Sequence, residues 1–426
     1  MTFSRLSHVA EVSVSTVDKH TVEGEVPVRL CNYVDVYKNN AIVDGLDFMS
    51  VTATPDEIRR FSIAPGDTLF TKDSETADDI GVPAYVQTSS PLVCGYHVAI
   101  ARPRERVVHP RYLYWSLASS AAAQQWQVLA TGVTRVGLRQ SDIGKLSIWM
   151  PDLGEQAVIA DFLDRETAKI DALIAKQHEL VAALRDRRES AVMGAVTGHE
   201  RTGPKRDSGV RWIGEVPAHW QVGNIRRYAS MHSGHTPSRQ VPEYWEDCTV
   251  PWFTLADVWQ LRDDTQIYLG QTAERISELG LHNSSAELLP TGTVALSRTA
   301  SVGFSGIMPE PMATSQDFWN WVCGPDLLPE FLLRVFRAMR REMRSLMAGS
   351  THQTIYKNDA ASFVIPVPPL QEQREVVKEL EQDLGRMDAL VDKAIGLVAT
   401  LRERRAALIT AAVTGRLDVT TYGKAG

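Results

Sequence analysis

Cysteine is scarce, and the four thiols, Cys31, Cys94, Cys248 and Cys323, stand far apart with no Cys-x-x-Cys pair. That spacing fits reduced thiols in a cytoplasm better than a disulfide framework. No run approaches the roughly 18 apolar residues of a membrane span, and the first ten residues mix polar and apolar side chains around Arg5 and His8. Neither an export signal nor a transmembrane segment is expected. A basic surplus is missing too: 45 Lys and Arg face 52 Asp and Glu, a formal charge of -7. Coating of nucleic acid by bulk attraction is thereby excluded, so any such contact must use local patches.

Catalytic signatures are equally absent. There is no phosphate loop ending in Gly-Lys-Ser/Thr, no Gly-x-Gly-x-x-Gly, no Gly-x-Ser-x-Gly elbow and no His-Glu-x-x-His. No acidic residue stands two positions before a lysine, as the usual nuclease metal motif requires, and the Asn/Asp-Pro-Pro-Tyr/Phe of adenine methyltransferases is missing. His232 and His235 with Cys248 downstream are the nearest thing to a metal cluster, and they read as turn and contact residues. We therefore expect no catalytic residues and no metal site.

What is present is a chain of 426 residues, 44% hydrophobic, long enough for two or three domains. It repeats itself at a constant offset of 217 residues: 151–198 aligns without a gap on 368–415, with about 20 of 48 positions identical. Asp171-Ala172-Leu173 matches Asp388-Ala389-Leu390, and Ala195-Val196-Thr197-Gly198 matches Ala412-Val413-Thr414-Gly415. Both copies read as long helices with apolar residues every 3.5 positions. Ile159, Leu173 and Leu180 fill one heptad position and Leu163, Ile170 and Leu184 the other; the second copy has Val376, Leu390 and Leu397 beside Leu380, Met387 and Leu401. Such a period favours helices packed on each other, here as an antiparallel coiled coil of roughly 60 Å with a pseudo-twofold relation. Asp152 with Glu155 forms a capping box, Pro369 suits a first helical position, and Gly198 and Gly415 suit left-handed caps. Glu166 and Asp383 interrupt both stripes, as a register device or a solvated edge.

The expected order is thus a first globule (1–150), a central helix (151–198), a linker (199–210), a second globule (211–367), a C-terminal helix (368–415) and a tail (416–426). Short β-branched runs such as Val93 to Ile100 and Thr293 to Leu296 mingle with helical pieces such as Pro110 to Ser120 and Pro329 to Met347, so both globules are α+β.

The second globule opens Asp207-Ser208-Gly209-Val210-Arg211-Trp212-Ile213-Gly214-Glu215-Val216-Pro217-Ala218-His219-Trp220. It continues with Ser233-Gly234-His235-Thr236-Pro237-Ser238 and Pro251-Trp252-Phe253-Thr254, and leaves through Ile365-Pro366-Val367-Pro368-Pro369-Leu370-Gln371-Glu372-Gln373. These residues resemble the target-recognition domain of a type I restriction-modification specificity subunit. The first globule lacks the Trp-rich opening, and Gly132-Val133-Thr134-Arg135 stands where the second has Ser350-Thr351-His352-Gln353. The resemblance implies a non-catalytic, cytoplasmic, prokaryotic subunit. Each globule would read one half of an asymmetric bipartite site in duplex DNA, while the helices set the gap. Its partners would be two methyltransferase subunits and, in the full complex, two motor-nuclease subunits, which would carry S-adenosylmethionine, Mg and ATP. A repressor or orphan specificity subunit acting alone, or a coiled-coil protein scaffold, are the alternatives.

Base readout needs polar side chains on rigid turns. In the first globule the candidates are Thr71, Lys72 and Ser74, Tyr96 and His97, and Thr134, Arg135, Arg139 and Gln140. In the second they are Ser297, Arg298, Thr299 and Ser301, Thr314, Ser315 and Gln316, and Thr351, His352, Gln353 and Lys357. Arg334, Arg337, Arg341 and Arg344 share a helical face, read here as solvated, with phosphate tracking as the alternative. Trp252 and Tyr356 are assigned to the core, and Arg185 to Arg188 and Arg402 to Arg405 to a partner surface or a charged outer face.

Overall fold

In the computed structural model, described for residues 2–346 and 354–422, the chain divides into two compact units. The first comprises Met1–His178 and Ile395–Gly426, the second Glu179–Ala394. Each unit therefore holds one globule and a stretch of both long helices, Leu153–Thr197 and Leu370–Val413.

The repeat extends through the globules, where the offset widens from 217 to between 219 and 226 residues and sequence identity fades. In the first unit an antiparallel sheet centres on Val98–Pro103, flanked by Ala10–Val14 and Thr68–Thr71, with Pro83–Val86 beyond. In the second, Phe318–Cys323 lies between Ala229–Ser233 and Val294–Ser297, with Ser305–Ile307 beyond. A three-stranded sheet accompanies each and contains one parallel pair, Leu30 opposite Val93 in the first unit and Trp252 opposite Ala313 in the second. The next element starts with an equivalent cap, as Asn32 and Asp35 form a capping box that Thr254 and Asp257 repeat. Each globule is closed by pairing an early strand with its last, Phe3–Arg5 with Ser147–Trp149 and Gln221–Asn224 with Val364–Val367. Part of 199–210 is itself a strand, Lys205–Asp207, paired with Glu215–Pro217.

A buried glutamine fixes each globule to its helix. Gln156 accepts a hydrogen bond from the His109 backbone N–H at 2.8 Å and donates to the Pro151 carbonyl at 2.9 Å. Its repeat mate Gln373 accepts from the Leu328 N–H at 2.8 Å and donates to the Pro368 and Asp326 carbonyls at 2.8 Å. Removing either amide would strand a backbone N–H in the interior, which costs about 1–3 kcal/mol.

Within each unit the two helical stretches run antiparallel. In the first, Asp171 pairs with Arg405 at 2.9 Å and the Phe162 ring meets Tyr422. In the second, Arg188 pairs with Asp388 and Arg201 with Glu379. The helix-terminal arginines Arg188 and Arg405 thus bind the opposite helix instead of forming an outer face. Ile159, Leu163, Ile170 and Leu401 join the first unit's core, and Val376 and Leu380 the second's. Leu184 and Met387 are half-buried.

The heptad assignment needs correction at Leu173, Leu180, Leu390 and Leu397, which are 43–49% exposed. The buried positions instead recur every eleven residues, at Ile159, Ile170, Val181 and Val192, and at Val376, Val398 and Ile409 around half-buried Met387. A straight α-helix drifts by about 20° per heptad from a 3.5 repeat, whereas eleven residues close three turns at about 3.67 each. Two or three heptads from Ile159, a strict heptad residue has therefore rotated out of the seam. Glu166 and Asp383 pair with Lys169 and Arg386 of their own helices, as solvated edge residues do. Asp152 caps its helix by accepting from the Glu155 N–H at 2.9 Å, without the reciprocal Glu155 bond of a full capping box among the described residues, and Gly198 and Gly415 take φ of +67° and +70°.

Candidate nucleic-acid interface

In the first unit the strand Thr68–Thr71 runs out at Lys72, whose backbone N–H donates to the His97 carbonyl at 3.0 Å. The Lys72 carbonyl accepts from the Leu138 N–H at 2.8 Å, and Asp73–Ser74 pairs with Val136–Gly137. Three loops far apart in sequence, 71–74, 96–97 and 134–140, are thereby tied into one patch. The second unit repeats the tie. The Arg298 N–H donates to the Asp317 carbonyl at 2.9 Å, and the Arg298 carbonyl accepts from the Ile355 N–H at 2.9 Å. Lys72 and Arg298 are therefore structural equivalents, each at the node of three candidate loops.

Their side chains are held differently. The Lys72 ammonium lies 2.6 Å from Asp73 and 4.7 Å from the centre of the exposed Tyr96 ring. Asp73 also meets His97 Nδ1 at 2.9 Å. Burial opposes the Asp73 charge, but the hydrogen bonds from Lys72 and His97 outweigh it and bring the carboxyl below its ordinary value. The Arg298 guanidinium stacks 4.4 Å from the Trp319 ring centre, and its Nε is buried with no partner among the described residues. Burial lowers its pKa against the opposing pull of Asp317. Lys72 and Arg298 are consequently pre-positioned cations in partly dry surroundings.

Around the nodes the candidates divide by exposure. Thr134, Arg135, Arg139 and Gln140 are exposed, and Arg135 and Arg139 flank a shallow depression with Asp73 and Thr131. Gln316 is exposed and accepts from the Thr236 hydroxyl at 2.5 Å; Lys357 is exposed at the start of the helix Lys357–Ala361. Thr299 and Ser301 are half-buried, the former 3.4 Å from the Thr354 hydroxyl.

Thr71, Ser74, Ser297, Thr314 and Ser315 are buried, so the expectation of outward-facing hydroxyls fails at these five. Strand ends consume them. The Thr71 hydroxyl accepts from the Val82 N–H at 3.0 Å, Thr314 from the Asn320 amide at 2.8 Å, and Ser315 donates to Asp317 at 3.0 Å. Thr351, His352 and Gln353 lie outside the described residues. Trp252 is buried, but Tyr356, expected in the core, is 55% exposed beside Lys357 because it precedes the first turn of a surface helix.

Sequence reasoning missed Asp73 and Asp317, whose groups organise both nodes, and Ala300, which holds a φ of +57° in the loop after Arg298. Gly234 was noticed only as part of a motif. A Cβ there would fall 2.1 Å from the Ser315 carbonyl, so glycine alone lets 233–236 pack against 314–316. The described residues of the patches present donors and acceptors on loops tied by backbone hydrogen bonds. Among the described residues no three His, Cys, Asp or Glu cluster as a metal site, and His232 is engaged by Glu287 at 2.7 Å. No described helix is long and apolar enough to cross a membrane.

The family described as the type I restriction modification DNA specificity domain matches the chain twice, over residues 32–182 and 217–390. The specificity subunit of the type I restriction enzyme MjaIX from Methanocaldococcus jannaschii is 28% identical over 170 residues, 39% of this chain and 38% of that subunit. The match to the EcoKI specificity subunit of Escherichia coli K12 is longer, 21% identical over 404 residues, 91% of this chain and 83% of its relative. Among solved structures, the HsdS subunit from Thermoanaerobacter tengcongensis aligns over 98% of this chain and 97% of its own, with a TM-score of 0.57 at 18% identity. A chain from a study of assembly and conformational transition of the type I R-M system aligns over 98% of both, with a TM-score of 0.70 at 18% identity. At those identities the two structures speak to the fold.

Proposed function

The chain belongs to the type I restriction modification DNA specificity family, and from that premise we propose that it is the non-catalytic specificity subunit of such a system. Each unit reads one half of an asymmetric, bipartite duplex site. The observation that carries this reading is the doubled node: Lys72 and Arg298 occupy the same hydrogen-bonded junction of three loops in two units of one topology. Equivalent frames with unlike side chains are what two different half-sites require. Arg135, Arg139, Gln140, Gln316 and Lys357 supply exposed donors, and a single bidentate side-chain contact to a base is worth about 1–3 kcal/mol of discrimination.

Two methyltransferase subunits dock on the helices and, in the full complex, two motor-nuclease subunits follow. Leu173 and Leu397 in the first unit and Leu180 and Leu390 in the second support this assignment, being exposed leucines at repeat-equivalent positions. Two like patches suit two copies of one partner. S-adenosylmethionine, Mg and ATP belong to those partners, and the helices set the gap between half-sites.

The test is long-read modification mapping of DNA from cells expressing this chain with its methyltransferase, against cells lacking the chain. The expected result is a methyladenine motif of two unlike halves separated by a fixed gap, lost with the chain. An active methyltransferase whose motifs ignore this chain would leave a repressor or a scaffold as the better reading.

A further inference from the structure

The second unit contains a cleft of about 630 Å³ between its helical stretches and the helices Pro329–Ala338 and Arg340–Ser345. Its volume is that of a small-molecule site. Six arginines line it, against the acids Asp186, Glu189 and Asp264. Two of the arginines are deep: Arg334 is 3% and Arg337 8% exposed, which corrects the solvated-face reading of this helix.

The inner guanidinium groups are unequally satisfied. Arg340 forms a two-pronged pair with Asp264 at 2.7 Å, and Arg337 donates to the Asp264 and Gln266 carbonyls. Arg188 holds Asp388 and the Asp264 carbonyl. Arg334 has neither a hydrogen bond nor an ion pair among the described residues; its Nε is buried without a partner, and compensation comes only through the fields of Glu381, Asp264 and Asp388. Burial presses down the pKa of both deep arginines, that of Arg337 to about 9, and the neighbouring arginines add to it. A buried cation that loses or lacks its partner is strongly unfavourable, and apolar residues of similar volume are often neutral or better in such places.

The repeat supplies the comparison within the same chain. The helices Pro110–Leu117 and Pro329–Ala338 start at equivalent prolines, so Trp115, Ala118 and Ala121 stand where the second unit has Arg334, Arg337 and Arg340. The first unit builds the same helix–helix junction without any of these charges, with its own Asp171–Arg405 pair beside Trp115. The fold therefore does not call for the arginines. Guanidinium forks match the oxygens of phosphate two at a time, and an excess of cations over acids suits a polyvalent anion better than a single carboxylate.

We propose that this cleft binds a diphosphate group, either free or carried by a nucleotide, with Arg334 as its innermost ligand and Arg344 at its rim. The full-length chain, prepared in phosphate- and sulfate-free chloride buffer, is titrated with inorganic diphosphate and separately with ADP at matched ionic strength. Calorimetry gives stoichiometry, and thermal unfolding gives an independent readout. One saturable site is expected, with a rise in unfolding temperature that added sodium chloride does not reproduce. Tighter binding of diphosphate than of ADP assigns the free anion, and the reverse order assigns a nucleotide.

In Arg334→Met the affinity should fall at least ten-fold, while the ligand-free protein unfolds at the same temperature or higher. A purely structural arginine would give the opposite stability change. Arg344→Ala, which leaves the interior untouched, should weaken binding several-fold and covers failure of the first variant to fold. The proposal is overturned by the absence of a saturable site for either ligand, or by unchanged affinity in both variants. It is equally overturned if Arg334→Met impairs only duplex DNA binding.

Discussion

Lys72 and Arg298 do the same geometric job with different chemistry. One is a compact ammonium pinned between Asp73 and Tyr96, the other a flat fork lying on Trp319. Their removal should therefore be felt by separate halves of the DNA site. In complex with methyltransferase, Lys72→Ala is expected to weaken methylation at substrates altered in neither half by about ten-fold, the rate equivalent of about 1.4 kcal/mol. It should relax discrimination only in the half read by the first unit; Arg298→Ala should do so in the other. Scoring both variants on libraries randomised in one half at a time checks this, and loss of discrimination in the same half for both would sink the assignment. Sequence alone located these loops through their polar, glycine-containing runs. It could not tell Gln316, which faces out, from Ser315, which is spent on Asp317. Hydrophilicity is shared by the two, and only the pairing of strand ends separates them. Asp73 and Asp317 escape a search for polar donors because an acid is an unexpected neighbour for a cation proposed to face DNA, yet Asp73 orients Lys72.

For the long helices, length, direction and caps were legible because a 217-residue repeat with twenty or so identities is hard to misread. Their seam was not. Leucine at 3.5-residue spacing is real in this sequence, but eleven-residue spacing is what becomes buried, and the smaller Val181, Val192 and Val398 carry it. The two patterns coincide at Ile159 and Ile170 and part at Leu173. Ile170→Ala should accordingly destabilise the first unit by about 2–4 kcal/mol, the range for truncating a buried aliphatic side chain. Leu173→Ala should cost less than about 1 kcal/mol while weakening capture of the methyltransferase. Urea unfolding and co-purification measure the two effects separately. Equal destabilisation by both substitutions would restore the heptad seam.

Over the whole molecule, the α+β class and the globule–helix–globule–helix order could be read from the sequence, whereas the matching strand topology of the two globules could not. Only scattered positions agree there, since a sheet tolerates many residues that alternate inward and outward, while a cap or a helix seam fixes particular ones. On the proposed reading, the gap between half-sites is a property of helix length. Adding four helical residues to each helix, at 178–179 and 394–395, lengthens both by about 6 Å, close to two base pairs at about 3.4 Å each. The methylated motif should keep both halves and gain about two base pairs between them, as modification mapping would show. A folded variant that methylates at the old gap would remove the helices from this role.

The paired glutamines give the chain a way to change. Gln156 and Gln373 ask of a globule only a backbone N–H at the start of one helix, at His109 before Pro110–Leu117 or Leu328 before Pro329–Ala338, and a carbonyl at its exit, at Pro151 or Pro368. These are backbone groups, present whatever the side chains are. A foreign globule spliced in ahead of Gln156 or Gln373 meets the same seat through its own backbone, so on the proposed reading crossing-over between relatives exchanges one half of the recognised site in a single event and leaves the other half as it was.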